Sequence, residues 1–455
     1  MHVSITSQTA AFFFLLVYLS CQINISVSFN LSLNDIIPSD ILPSVSFNVS
    51  LNYIMPSTSD NTSKCWHDAF KTLHKADRNH PEMRMNVSEL ISSKGYPCED
   101  HYVQTEDGYI LSMQRIPHGR QNADKHGPRP VAYLQHGLLG DATNWLVNLE
   151  EQSLGFILAD AGYDVWLGNC RGTTYGKKHS SLSPDDRAFW DFSLDEMAQY
   201  DLPAFINYAL NVSGQSQLYY IGHSQGTAIA FAAFSQNKEL GKKVRLFTAL
   251  APVTTVGGID GPLKFLVDTN VHMGFEVLLK AIGIHELLPK NNSGSQFMEF
   301  FGDTVCGNKN TAIICENIIF LAGGFDCFRM NATRLPIYAA HAPAGTSTKN
   351  IIHWAQLVKS GKFQMYDYGF FGNFQHYQES TAPEYDLSQM DVPVAIFSGE
   401  WDNLADPKDV ALLLPKLKNK VYTRDIAKFD HVDFIWAFDA GEVLYNDVLH
   451  VMQKH

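Results

Sequence analysis

A single serine stands between two glycines at the end of an apolar run, in LYYIGHSQGTAIAF (218–231). Small and apolar residues follow it. Such a segment reads as a buried strand, a tight turn and a helix that opens directly after Ser224. The plain reading is a glycine-containing connection between strand and helix. The chemical reading is a nucleophile elbow, which needs that same strand–turn–helix setting. Gly222 and Gly226 then keep side chains away from a turn in which backbone segments crowd together. The helix start beyond Ser224 supplies unpaired N–H groups and positive potential, which favour a developing oxyanion.

The flanking sequence supplies the setting. YVQTEDGYILSMQRI (102–116) carries β-rich runs around Asp107-Gly108, a hairpin signal. PVAYLQ (130–135), YDVWLG (163–168), QLYYIG (217–222) and VRLFTALAP (244–252) read as short apolar strands. SLGFILADAGY (153–163) and TAIAFAAFS (227–235) read as helices between them. SLDEMAQYDLPAFINYAL (193–210) reads as one helix opened by a capping box, Ser193 with Glu196. The alternation lapses over roughly 256–390. It resumes with VPVAIFSG (392–399) as strand, PKDVALLLPKL (407–417) as helix, KVYTRDI (420–426) as strand and a helix from about Gly441. Strands and helices at this spacing predict an α/β fold: a mostly parallel sheet covered by helices on both faces. The interruption predicts an insertion, a cap over the sheet's carboxyl edge, approximately 256–390.

The chain has 455 residues, 45% hydrophobic and 18% charged, with a formal net charge of −13. That length suffices for a full core. The acidic balance and the lack of a Lys/Arg cluster argue against nucleic acid as a partner. The first residues, MHVSITSQTAAFFFLLVYLSCQ, hold an apolar run from Ala10 to Leu19 that is too short to span a bilayer and fits a signal peptide over 1–21. No later segment is long and apolar enough for a span, so a soluble protein that enters the secretory pathway is expected. Asn-x-Ser/Thr sites at Asn30, Asn48, Asn61, Asn86, Asn211, Asn291 and Asn331 support that route. Beyond Cys21 there are six cysteines, at 65, 98, 170, 306, 315 and 327. They make neither a disulfide scaffold nor a zinc spacing. No metal or cofactor is expected.

Residues 22–79 form a Ser/Asn-rich extension. Within it SVSFNLSLNDIIPS (26–39) recurs as SVSFNVSLNYIMPS (44–57), identical at 11 of 14 positions. Two copies cannot build a solenoid. A mobile, glycosylated segment is expected, with β pairing between the copies as the lesser option. The globular α/β domain is expected over 80–455.

A serine hydroxyl needs a base to take its proton. In this architecture the chain order is Ser, acid, His. VPVAIFSGEWDNLADP offers Glu400, Asp402 and Asp406 after a late strand. Asp402 lies in the turn where a carboxylate could reach across the sheet edge. Glu400 is closer to the strand, and Asp406 directly precedes Pro407 and has a competing reading as a helix N-cap. In AKFDHVDFIWAF, His431 is the one candidate base between the last strand and the last helix. Two backbone N–H donors are needed for the oxyanion. Gln225 follows the nucleophile, and Leu138 follows the His136-Gly137 turn in AYLQHGLLGDATNW.

At these residues the chain resembles the acid lipases, the gastric and lysosomal group, and most closely their insect relatives. The matching stretches include MNVSELISSKGYPCEDHYVQTEDGYIL, LQHGLLGDATNW, LADAGYDVWLGNCRG, FSLDEMAQYDLPA and GHSQGTAIAF. HAPAGTS, WAQLVKSGKFQMYDYG, NLADPKDV and HVDFIWAFDA follow in the same order, over roughly 80–452. The resemblance implies an α/β-hydrolase with a helical cap, acting on carboxylic esters of neutral lipids such as triacylglycerols or cholesteryl esters at a lipid–water interface. It places the nucleophile on Ser224, the acid on Asp402 rather than Asp406, the base on His431 and the oxyanion donors on Leu138 and Gln225. It also implies a disulfide between Cys306 and Cys315 and a glycan at Asn331, beside those at Asn86 and Asn211, in a secreted or lysosomal protein. The repeat-bearing extension, Trp401, Cys98, Cys170 and Cys327 depart from the family pattern, and 256–330 matches it loosely. Substrate choice is therefore the least constrained expectation. A soluble carboxylesterase or acyltransferase with the same triad, and a non-catalytic lipid-binding protein, are the rival readings.

Overall fold

The computed structural model describes residues 80–124, 127–259 and 329–455, with short strands at 29–32, 46–49 and 286–287. Its centre is a nine-stranded sheet. The strands are β1 (Glu99–Gln104), β2 (Tyr109–Ile116), β3 (Val131–Gln135), β4 (Asp164–Gly168), β5 (Lys178–His179), β6 (Leu218–His223), β7 (Val244–Leu250), β8 (Val394–Gly399) and β9 (Lys420–Ile426). Their order is β9-β8-β7-β6-β3-β4-β2-β1, with β5 paired to β2. Strands β3, β4 and β6 to β9 are mutually parallel, while β2 runs antiparallel to β1, β4 and β5. The central strands β3, β4, β6 and β8 are buried at every residue. Strands covered on both faces are largely apolar, with buried polar residues only near their ends (Gln135, Asp164, His223 and Ser398), which is why these runs lack the alternation of a half-exposed strand. The edge strand β9 carries exposed Lys420, Thr423 and Asp425, which discourage further pairing.

Helices lie on both faces, as expected. One buried cluster takes in α1 (Leu154–Asp160) and α7 (Asn446–Lys454). The other takes in α2 (Leu202–Ser213) and α3 (Gln225–Gln236), together with Leu413 of α6 (Pro407–Leu413). Between β7 and β8 the described residues contribute no strand to the main sheet. They contribute α4 (Thr348–Ser360) and α5 (Gly369–Tyr377) instead.

One sequence expectation needs correction. Residues 193–210 are not a single α-helix. The Ser193–Glu196 capping box is present, but Met197–Asp201 is a π-helical turn, and α-helix resumes at Leu202. Pro203 supplies the reason. It has no N–H to donate, and its ring would collide with the carbonyl four residues back in a regular helix. A wider turn relieves both problems. The helix then runs to Ser213 and ends at Gly214 in the left-handed conformation, φ 68°.

The N-terminal repeat copies pair antiparallel over Phe29–Ser32 and Ser46–Val49. Cys65, Cys306, Cys315 and Cys327 lie outside the described residues, as does the expected leader. Cys98 and Cys170 are free thiols. Among the described residues no helix is long and apolar enough to cross a membrane.

Candidate active site

Strand order decides where the site forms. The chain runs β3 to β4 in one direction, then returns to place β6 on the other side of β3. At such a switch point the connections leave in opposite directions and open a crevice at the carboxyl ends. Gln135 of β3 is paired with Gly222 of β6. The segments that leave those residues, His136–Leu139 and His223–Gln225, therefore emerge side by side.

Ser224 sits at φ 54°, ψ −123°, a conformation that a residue with a side chain reaches only under strain. The glycines make it possible. A β-carbon on Gly222 would lie 2.8 Å from the Gly226 carbonyl, and one on Gly226 only 2.4 Å from the Gln135 oxygen. The serine side chain is thus thrown out at the top of the sheet, at the mouth of α3.

Two strands away, β8 and β9 end in register, Gly399 beside Ile426. The loops that follow carry Asp402 and His431 back towards Ser224. His431 Nε2 lies 2.7 Å from Ser224 Oγ. His431 Nδ1 lies 2.9 and 3.0 Å from the two Asp402 oxygens. Because the carboxylate can only accept, Nδ1 carries the proton and Nε2 accepts from the serine hydroxyl. Asp402 Oδ1 also accepts from the backbone N–H groups of Leu404 (2.9 Å) and Ala405 (2.7 Å), so the buried carboxylate is fully engaged. The two rival acids are placed elsewhere. Asp406 caps α6 through Lys408 N at 2.8 Å, and Glu400 accepts from Lys428 N at 3.0 Å.

Gln225 is the first residue of α3, where the backbone N–H has no acceptor in a preceding turn. Facing it is the loop of Gly137 and Leu138. A β-carbon on Gly137 would stand 2.9 Å from Ser224 Cβ, so this loop lies directly against Ser224. His136 stiffens it. Its Nε2 accepts from Cys170 N at 3.1 Å, which leaves Nδ1–H to donate to the Gly137 carbonyl at 2.8 Å. Burial holds the His136 imidazole below its usual range, in its neutral form.

Two further contacts were not read from the sequence. His223 Nε2–H donates to the His431 carbonyl at 2.9 Å, and the two rings lie 4.9 Å apart. The residue before Ser224 thus holds the loop that carries His431. Burial first, and the neighbouring His431 second, depress the His223 pKa to about 3. The second contact is on the Gln225 side chain. Its Oε1 accepts from Asn350 Nδ2 (2.9 Å) and Trp354 Nε1 (2.6 Å), both on α4. The loop is also held from this side, since Ala344 N donates to Leu139 O at 2.7 Å. The WAQLVKSG stretch was a signal for this element, but nothing in it pointed to Gln225.

Of the expected glycan acceptors, Asn86 and Asn211 are exposed and Asn331 is half-buried. Among the described residues no cluster of His, Cys, Asp and Glu is arranged to hold a metal ion.

Fold and strand–turn–helix elbow together define an α/β hydrolase. Two family models match the chain: the partial alpha/beta-hydrolase lipase region over residues 87–149 and the alpha/beta hydrolase fold over 130–277. A solved protein from Sulfolobus solfataricus shares the fold at a TM-score of 0.50 and 14% identity, covering 78% of this chain and 99% of that one. Three relatives are far closer in sequence. Gastric triacylglycerol lipase of Rattus norvegicus is 49% identical over 376 residues, covering 82% of this chain and 93% of the rat protein. Lysosomal acid lipase/cholesteryl ester hydrolase of Homo sapiens is 48% identical over 376 residues, 82% and 92% of the two chains. Lipase member K of Homo sapiens is 46% identical over 398 residues, 86% and 97% of the two chains. The chain belongs to the gastric and lysosomal acid lipase family and is a carboxylic ester hydrolase.

Proposed function

We propose that the protein hydrolyses neutral lipid esters, triacylglycerol or cholesteryl ester, by acyl transfer through Ser224, and that it works outside the cell or in the lysosome. The observation that carries the reading is the 2.7 Å contact between Ser224 Oγ and His431 Nε2 at a strained elbow. His431 takes the Ser224 proton as the hydroxyl attacks the ester carbonyl. Asp402 holds the Nδ1–H tautomer and stabilises the imidazolium that forms. The N–H groups of Leu138 and Gln225 receive the oxyanion of the tetrahedral intermediate. The alcohol leaves with the proton from His431, and water repeats the sequence on the acyl-enzyme.

An acidic compartment adds a demand, because the base must be neutral to accept a proton. His223 is the nearest second imidazole. With its pKa held at about 3, it stays uncharged there and adds no positive charge beside the imidazolium formed in the reaction. The relatives named for gastric and lysosomal lipases support an acidic setting.

The test is fatty-acid release from emulsified long-chain triacylglycerol, at acid and neutral pH, by the secreted protein beside Ser224→Ala. Release by the parent alone is expected. Hydrolysis confined to soluble short-chain esters would replace the lipase reading with an esterase. Equal release by both proteins would remove Ser224 from the mechanism.

A further inference from the structure

Helix α5 has the sequence GFFGNFQHY and turns three phenylalanines to solvent. Phe370 is 60% exposed, Phe371 86% and Phe374 53%. Their rings touch: the Phe370 centroid lies 5.3 Å from that of Phe371 and 5.7 Å from that of Phe374. The other large exposed apolar residues among those described, Tyr102, Val212, Trp401, Leu412 and Phe438, fall one to an element. A contiguous aromatic patch on one short helix is a different matter, because such patches mark interaction sites.

The opposite face of α5 is firmly mounted. Asn373 is buried, donates to Asp367 Oδ1 at 2.8 Å and accepts from Tyr368 N at 2.9 Å. Asp367 and Tyr368 are in turn tied to α4. Asp367 exchanges two hydrogen bonds with Gln356, at 2.8 and 2.9 Å, and Tyr368 OH meets Lys349 Nζ at 3.0 Å. Helix α4 also bonds the side chain of Gln225, next to Ser224. The patch therefore belongs to the same rigid piece as the roof of the site, although no step of the reaction uses a phenylalanine.

Charge selects the occupant. Residues 369–377 contain no Asp, Glu, Lys or Arg. His376 lies flat on Tyr368, with centroids 3.8 Å apart. The flanking cations Lys349 and Lys362 are committed to Asp191 and Glu196, and to Glu384. A helix without charge, on a chain of net charge −13, matches an uncharged surface and has nothing to offer anionic headgroups.

We propose that Phe370, Phe371 and Phe374 are the anchor by which the enzyme seats itself on an uncharged lipid–water interface. This rests on the neutral-lipid reading given above, since a water-insoluble ester presents such a surface. The rings enter the interface as a unit, and the mounting of α5 on α4 fixes how the site faces the lipid.

The test separates binding from turnover. Binding is read in the Ser224→Ala background, by flotation with zwitterionic phosphatidylcholine vesicles and with triolein emulsion. The triple variant Phe370→Ser/Phe371→Ser/Phe374→Ser is expected to bind roughly 100-fold more weakly, and Phe371→Ser alone roughly five-fold. Parent binding should change little between low and high salt, and should not rise when anionic phosphatidylglycerol is added. In proteins retaining Ser224, the triple variant should cleave a soluble short-chain ester within two-fold of the parent, which also reports that it is folded. Its turnover of emulsified lipid should fall at low interfacial area. Undiminished vesicle and emulsion binding by the triple variant would overturn the anchor and leave the lipase reading intact. A parent that binds vesicles through these residues but never cleaves long-chain esters would sustain the anchor and remove the lipase reading. A parent dimer in sedimentation that the triple variant dissolves, without any loss of lipid binding, would assign the patch to a second copy and overturn the proposal.

Discussion

Replacing Gly226 by alanine tests the elbow at its tightest point. A β-carbon there would lie 2.4 Å from the Gln135 carbonyl oxygen and 2.8 Å from that of His136, where ordinary contact begins at 3.4 Å. Both obstacles are backbone, so neither can swing aside. Nor can the start of α3 retreat freely, because Tyr220 OH donates to the Gly226 carbonyl at 2.7 Å. The first turn of α3 and the end of β3 must therefore part by about 1 Å, set by that overlap. Overpacking of this kind costs about 1–3 kcal/mol of stability. The catalytic cost should be greater in relative terms. The end of β3 runs straight into Gly137 and Leu138, and the first turn of α3 opens at Gln225, directly after Ser224. The displacement falls between the nucleophile and its oxyanion loop, and a 1 Å misplacement costs on the order of 100-fold in rate. The assay is kcat on a soluble ester, paired with the denaturant midpoint. Gly214→Ala is the control. Gly214 has positive φ, 68°, where Gly226 does not, and nothing lies within 4 Å of its missing β-carbon. That variant should lose about 1–2 kcal/mol to left-handed backbone strain and keep its kcat. A Gly226→Ala enzyme with kcat within three-fold of the parent would refute the reasoning, since the crowding would then have been relieved without moving the site.

Two further outcomes follow from the contacts around the triad. Trp354→Phe removes one of the two donors on Gln225 Oε1 and leaves Asn350 in place. It should lower kcat by about 3–10-fold with KM nearly unchanged, at a stability cost of about 1 kcal/mol, which kcat and KM on a soluble ester and a thermal melt will separate; a change in KM alone would mean that the tryptophan serves substrate binding instead. His223→Gln should alter the pH dependence of stability. The native imidazole titrates at about 3 and the unfolded one near 6.5, so between those values the unfolded chain binds the extra proton. Stability contributed by neutral burial is therefore intact above about pH 6.5 and lost progressively as pH falls towards 3. Removing the group should flatten that loss by up to about 1.4 kcal/mol per pH unit. Denaturant unfolding at pH 7, 5.5 and 4 measures it, and parallel curves for parent and variant would exclude the effect.

Much of the site was legible in the chain because its chemistry is local. A nucleophile elbow is five consecutive residues, and its glycines are required by contacts between neighbours in sequence or in the adjoining strand. The strand–helix alternation was legible for the same reason, since strands buried on both faces read as unbroken apolar runs. The single-helix expectation for 193–210 failed at Pro203, where one missing N–H outweighed an otherwise helical pattern.

What the chain alone left open was every relation between distant segments. Glu400, Asp402 and Asp406 lie within seven residues and share one chemistry. Their fates diverge because β8 and β9 end in register and the next turn aims one carboxylate at His431, another at Lys428 N and the third at the start of α6. The hold of His223 on the base loop joins residues 208 apart, and that of Trp354 on Gln225 joins residues 129 apart. The three phenylalanines of α5 are unremarkable in a chain with 29 of them until packing of Asn373 turns their face outward. Composition and local pattern determine which elements form. Strand order, register and the burial of one helix face determine which side chains meet, because those depend on the whole sheet closing at once.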